Sequence, residues 1–121
     1  MQTASSPWPV EIRVRRAERR LEIDFDDGAA FSLPAELLRV ESPSAEVQGH
    51  TPSQKVTVGG KSGVGISELD PVGNYAVRIL FDDGHSTGIY SWSTLYRMGR
   101  DQASLWQAYL DALRAKGLTR D

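Results

Sequence analysis

One cadence occurs twice in this chain, as Ile23-Asp24-Phe25-Asp26-Asp27-Gly28 and as Ile79-Leu80-Phe81-Asp82-Asp83-Gly84. It constrains the fold more than any other feature. Each copy begins as a strand and ends in an Asp-Asp-Gly turn, in which aspartate caps local backbone amides and glycine supplies a left-handed residue. Each is then followed by a helix signal, Leu33-Pro34 onward and Ser91-Trp92 onward. The expectation is two hairpin–helix units around a shared core.

The first hairpin can be read in register. Val10, Ile12 and Val14 alternate with Glu11, Arg13 and Arg15, a period of two that predicts a strand over 10–16. Leu21, Ile23 and Phe25 repeat the pattern. A two-residue loop at Asp27-Gly28 would set Phe31 opposite Asp24. A three-residue loop, Asp26 to Gly28, pairs Phe25 with Ala29, Ile23 with Phe31 and Leu21 with Leu33. Only the second puts every large apolar group on one face, so it is the predicted register.

Further along, Pro34 is placed in the first turn of a short helix to Val40. Ser42, Pro43, Ser44, Gly49, Pro52 and Ser53 predict a loop over 41–54. Strands are expected at 55–58, 64–69, 75–81 and 85–90, with Asp70 to Asn74 as a turn. Ser91 caps a helix ending near Gly99. Asp101 caps a last helix running to Lys116 with Gly117 as its stop. Leu105, Tyr109 and Leu113, flanked by Trp106 and Leu110, form its core-facing stripe. The fold class is α+β: a small antiparallel sheet of hairpins with short helices and a C-terminal helix. Residues 1–9 are read as a flexible tail and 10–117 as one domain, consistent with 121 residues in all.

Composition narrows the chemistry. The chain has no cysteine, which removes disulfides, thiol nucleophiles and thiolate metal sites. Net charge is -2, against the basic excess of a typical nucleic-acid binder. No apolar run approaches the roughly 20 residues that span a bilayer. The first nine residues lack the basic and apolar regions of a secretory signal, so a cytoplasmic location is expected.

Four constellations bear on function. Arg13, Arg15, Arg16, Arg19 and Arg20 form a local basic cluster, read as a solvated face, with an acidic or phosphate-bearing partner as the sharper alternative. Asp26/Asp27 and Asp82/Asp83 look like paired carboxylates but read better as turn caps. Gly60-Lys61-Ser62 lacks the glycine spacing and following helix of a phosphate loop. Nothing resembles a Gly-x-Ser-x-Gly elbow, which argues against a serine hydrolase. His85 follows the second turn on the side that carries Val77, Ile79 and Phe81, where a histidine is usually a satisfied structural group and can also be a metal ligand.

A family resemblance joins these blocks. Ser42-Pro43-Ser44-Ala45-Glu46-Val47 with Gly49-His50, Pro71-Val72-Gly73-Asn74-Tyr75, Phe81-Asp82-Asp83-Gly84-His85 and Gly88-Ile89-Tyr90-Ser91-Trp92 resemble the gamma-butyrobetaine hydroxylase N-terminal-domain-like family over about residues 12–99. In the hydroxylases this domain precedes an iron- and 2-oxoglutarate-dependent catalytic domain. Related domains are fused to P-loop ATPases of iron–sulfur cluster handling, and many bacterial members stand alone. The resemblance also implies a structural zinc held by three cysteines after a Leu-Arg pair and by the histidine of an Asp-Gly-His turn. Leu38-Arg39 and Asp83-Gly84-His85 match the anchors. The cysteine positions fall on Ser42, Ser44 and Val47. The metal site is therefore expected to be lost, no cofactor is expected, and nothing after Gly99 matches a catalytic domain. These readings imply a non-catalytic accessory or protein-interaction module with an unknown protein partner, no membrane and no nucleic acid. The competing class is a metal-binding protein using His85 with His50 or a carboxylate such as Asp82 or Glu46.

Overall fold

The computed structural model describes residues 7–121. The chain runs β1 (Pro9–Arg15), β2 (Arg20–Phe25), β3 (Ala30–Pro34), α1 (Ala35–Val40), α2 (Ala45–Gln48), a 3-10 turn (Pro52–Gln54), β4 (Ile66–Val72), β5 (Ala76–Phe81), β6 (Ile89–Ser91), α3 (Trp92–Arg100) and α4 (Gln102–Lys116). It is α+β, as expected, but the hairpins form two antiparallel sheets of three strands rather than one, ordered β1-β2-β3 and β4-β5-β6.

The first hairpin has the predicted register. Leu21 pairs with Leu33 and Ile23 with Phe31, and the Phe25 amide donates to the Ala29 carbonyl. Gly28 and Gly84 adopt φ of 91° and 94°, the left-handed region that glycine occupies without a β-carbon penalty. The Asp27 and Asp83 carboxylates each accept from the amide two residues on, which is what makes Asp-Asp-Gly a turn signal.

Several boundaries differ from the sequence reading. Of the tail expected over 1–9, residues 1–6 lie outside the described residues. Pro9 already belongs to β1, and the Trp8 amide and carbonyl bond to Asp26. Pro34 closes β3 with ψ 141° and stands just before α1 rather than inside its first turn. The expected loop at 41–54 contains α2, because the Ser44 side chain accepts from the Glu46 amide and caps a helix. Residues 55–58 are not a strand. β4 continues through Asp70-Pro71-Val72, leaving the turn to Gly73, Asn74 and Tyr75, so β5 starts at Ala76 rather than Tyr75. Pro71 is tolerated there because β4 is an edge strand. Of the strand expected over 85–90, only Ile89 onward joins the ladder.

One core joins the sheets. Leu21, Ile23 and Leu33 of the first sheet meet Val77, Ile79, Phe81 and Tyr90 of the second, with Leu37, Leu38, Leu95 and Met98 from α1 and α3 between them. Tyr109 and Leu113 of α4 bury against Val40, so the α4 stripe faces inward. Gly117, at φ 68°, ends that helix. Asp101 occupies the position before α4 without a side-chain capping bond; its carboxylate pairs with Arg100 instead. Among the described residues no helix is long and apolar enough to cross a membrane.

Candidate functional site

The second turn and the segment between α1 and α2 meet at His85. The turn bends the chain after Phe81, whose amide donates to the His85 carbonyl, and the imidazole is almost fully buried, at 8% exposure. Its Nε2 lies 2.9 Å from Ser42 Oγ. Its Nδ1 lies 3.0 Å from Glu46 Oε1. A carboxylate can only accept, so Nδ1 carries the proton and Nε2 accepts from the Ser42 hydroxyl. Ser42 Oγ in turn accepts from the Ser44 amide. Ser44 Oγ is 2.7 Å from Thr87 Oγ1, and the Thr87 hydroxyl donates to the same Glu46 oxygen. The chain of bonds ties the α1–α2 segment to the segment between β5 and β6, and both ring nitrogens are satisfied within it.

Charge sits beside this network. Burial pushes the Asp83 carboxyl upward, but the Lys61 ammonium, the His85 amide and the Arg39 guanidinium outweigh it and hold the group at about 2. Burial, helped by Arg39, pushes the His85 imidazole below its ordinary value against the opposing pull of Glu46 and Asp83. His85 is therefore a neutral, desolvated histidine at neutral pH.

Ser42, His85 and Glu46 have the connectivity of a hydroxyl, imidazole and carboxylate triad. Burial separates this arrangement from a nucleophile. Ser42 has 0% exposure, and a β-carbon on Gly88 would collide with its Oγ. A substrate carbonyl cannot approach a hydroxyl enclosed on that side by backbone.

The zinc site implied by the family resemblance fails on donor chemistry. Its cysteine positions carry two hydroxyls, each already used in protein hydrogen bonds, and Val47, which is buried and has no donor atom. Neutral hydroxyls and methyl groups do not replace thiolates on zinc. The set His85, His50 and Asp82 is not brought together either. His50 is exposed, with its amide on Gln54 Oε1, and Asp82 accepts from the Gly65 amide. Among the described residues no three His, Asp or Glu side chains are grouped as metal ligands.

The other sequence candidates resolve separately. Arg13 pairs with Glu11, Glu22 and Asp24, and Arg15 with Glu22, across the β1–β2 face. Arg16 donates to the Ser67 carbonyl. Arg20 reaches Ser32 on the other side of its hairpin. Only Arg19, in a left-handed turn conformation at φ 55°, is exposed with no side-chain bond among the described residues. The basic cluster is thus split: carboxylates neutralise Arg13 and Arg15, while Arg16 and Arg20 bond neutral acceptors. Lys61 of the Gly-Lys-Ser stretch reaches Asp83, and Gly60 and Ser62 bond to the C-terminal segment. Sequence reasoning missed Thr87, which carries no motif, and the approach of Lys61 to Asp83 across 22 positions.

Comparison with known proteins agrees with this architecture. The family model described as gamma-butyrobetaine hydroxylase-like, N-terminal, matches residues 12–96. Two proteins solved by NMR in solution are similar over nearly the whole chain. One is 40% identical with a TM-score of 0.83, covering 97% of this chain and 92% of its own. The other is 48% identical with a TM-score of 0.83, covering 99% and 89%. A crystal structure of a protein of unknown function from Acidithiobacillus ferrooxidans, assigned to the DUF971 family, is 41% identical with a TM-score of 0.66, covering 78% of this chain and 98% of its own. A search of curated proteins finds no match. With the family model spanning most of its length and relatives of this similarity, the chain belongs to the gamma-butyrobetaine hydroxylase-like N-terminal family.

Proposed function

We propose that this protein is a non-catalytic accessory or protein-interaction module of the cytoplasm. The observation that carries the reading is the complete burial of Ser42, the one hydroxyl bonded to the one buried histidine. That network acts as a cross-link, so function falls to the surface. Tyr75, before β5, and Ile89, on the edge strand β6, are 57% and 44% exposed, and aromatic and large aliphatic side chains of this kind anchor protein interfaces. A connection to metal or iron–sulfur handling rests on family kinship alone.

The test pairs binding with turnover. Affinity purification from the native cell should recover a stoichiometric protein with the wild-type chain and lose it with the Tyr75→Ala, Ile89→Asp variant. Hydrolysis of ester, phosphoester or peptide substrates that disappears in Ser42→Ala would overturn the reading.

A further inference from the structure

A groove lies away from His85, where β2 and β3 meet the junction of α3 and α4. It has a volume of about 500 Å³ and is lined by Arg20, Pro34, Leu37, Gly99, Arg100, Gln102, Ala103 and Trp106, a size in the usual range for small-molecule sites. None of these residues belongs to the His85 network.

We infer that this groove binds a small organic anion, a carboxylate on a planar or aliphatic body, with Arg20 holding the carboxylate and Trp106 the apolar part. Arg20 is fixed before any ligand arrives. Its Nε donates to Ser32 Oγ at 2.6 Å and its Nη2 to the Ser32 carbonyl at 2.9 Å. The same carbonyl accepts from Gln102 Nε2, which ties the start of α4 to the strand beneath Arg20. Arg20 has no carboxylate partner among the described residues, and its Nη1 donates to nothing there. A half-buried guanidinium held by neutral acceptors keeps its full charge available.

The neighbouring charges cancel. Arg100 is bound by Asp101 through two contacts of 3.0 Å. Glu36, next to Leu37, accepts from Arg120 Nη2 and Nε at 2.8 and 2.9 Å, and that guanidinium also lies 5.1 Å from the centre of the Trp106 ring. The groove is left with one uncompensated positive charge beside apolar surface from Pro34, Leu37, Ala103 and Trp106. A monoanion with an apolar body satisfies both parts, whereas inorganic phosphate leaves the apolar wall unfilled.

The test is an NMR titration of the full chain with 2-naphthoate, using neutral 2-naphthamide and inorganic phosphate as comparison probes. The naphthoate should shift the Gly99, Ala103 and Trp106 indole resonances with a Kd of about 0.1 mM, and the amide should bind about tenfold more weakly. Arg20→Gln should weaken naphthoate by about tenfold without changing binding of the amide. Ala103→Phe, at an exposed position on α4, should fill the groove and abolish both. Equal affinity for acid and amide, unchanged binding in Arg20→Gln, or no shift at these residues at millimolar probe would overturn the proposal.

Discussion

Ser42 Oγ and His85 Nε2 meet at 2.9 Å across 43 positions of sequence, at two positions where the family resemblance implies a cysteine and a histidine. Here the same two positions are joined by a hydrogen bond, and Glu46 completes the bond on the far side of the ring. Removing either partner leaves a buried polar group unpaired. His85→Ala should destabilise by about 2 kcal/mol or more and Ser42→Ala by about 1 kcal/mol. In urea unfolding, the double variant should fall short of the sum by on the order of 1 kcal/mol. Strict additivity would refute the coupling.

The cross-link contains no metal donor set, so chelation should leave it intact. The melting temperature in excess EDTA should equal that in buffer, and the purified protein should carry no stoichiometric zinc or iron by elemental analysis. Metal released by His85→Ala would contradict the donor argument.

Stability should fall in two acid steps. The imidazole of His85 is held below its ordinary value, so the folded state takes up its proton less readily than the unfolded chain. Its contribution is complete above about pH 6.5 and is lost as pH falls below that toward the folded value. Asp83, held at about 2, contributes fully above about pH 3.9 and loses that contribution as pH falls toward 2. Solvent reaches the Asp83 carboxylate, and screening keeps this loss to about 1 kcal/mol. Denaturant midpoints measured from pH 8 to pH 2 should show both steps, and His85→Ala should remove the upper one.

Glycine replacements should separate conformational cost from collision. A β-carbon on Gly28 or Gly84 meets nothing within 4 Å, so alanine at either should cost about 1 kcal/mol through the left-handed backbone alone. Gly99 has ordinary backbone angles, but its β-carbon would run into the Phe31 ring. Gly99→Ala should be the more destabilising change in thermal unfolding, since a packed ring must move.

The arginines of β1 and β2 should not confer nucleic-acid binding, because Arg13 and Arg15 are engaged by Glu11, Glu22 and Asp24. Fluorescence titration with single- and double-stranded DNA and RNA at physiological salt should show no submicromolar affinity. Submicromolar binding lost on changing Arg15, Arg16 and Arg19 to Glu would reverse this reading.

The sequence by itself determined the features that depend on neighbours in the chain. Alternation at Leu21, Ile23 and Phe25, with Asp-Asp-Gly behind it, set the first register to the residue, because strand period and turn chemistry act over a few positions. The same locality made Ser91 and Gly117 readable as helix ends. Tertiary structure decided what those local signals leave open. The hairpins divide into two sheets, and β4 runs on through Pro71, because only sheet order reveals that Pro71 lies at an edge where its missing amide costs no ladder bond. Ser42 was legible as a family position and Glu46 as a candidate carboxylate for His85, but the sequence did not show Ser42 as a buried group enclosed by Gly88, nor Glu46 rather than Asp82 as the group that meets the His85 ring. Those pairings join segments about 40 positions apart, and their burial depends on how two sheets and α1 close around one core, which no local pattern encodes.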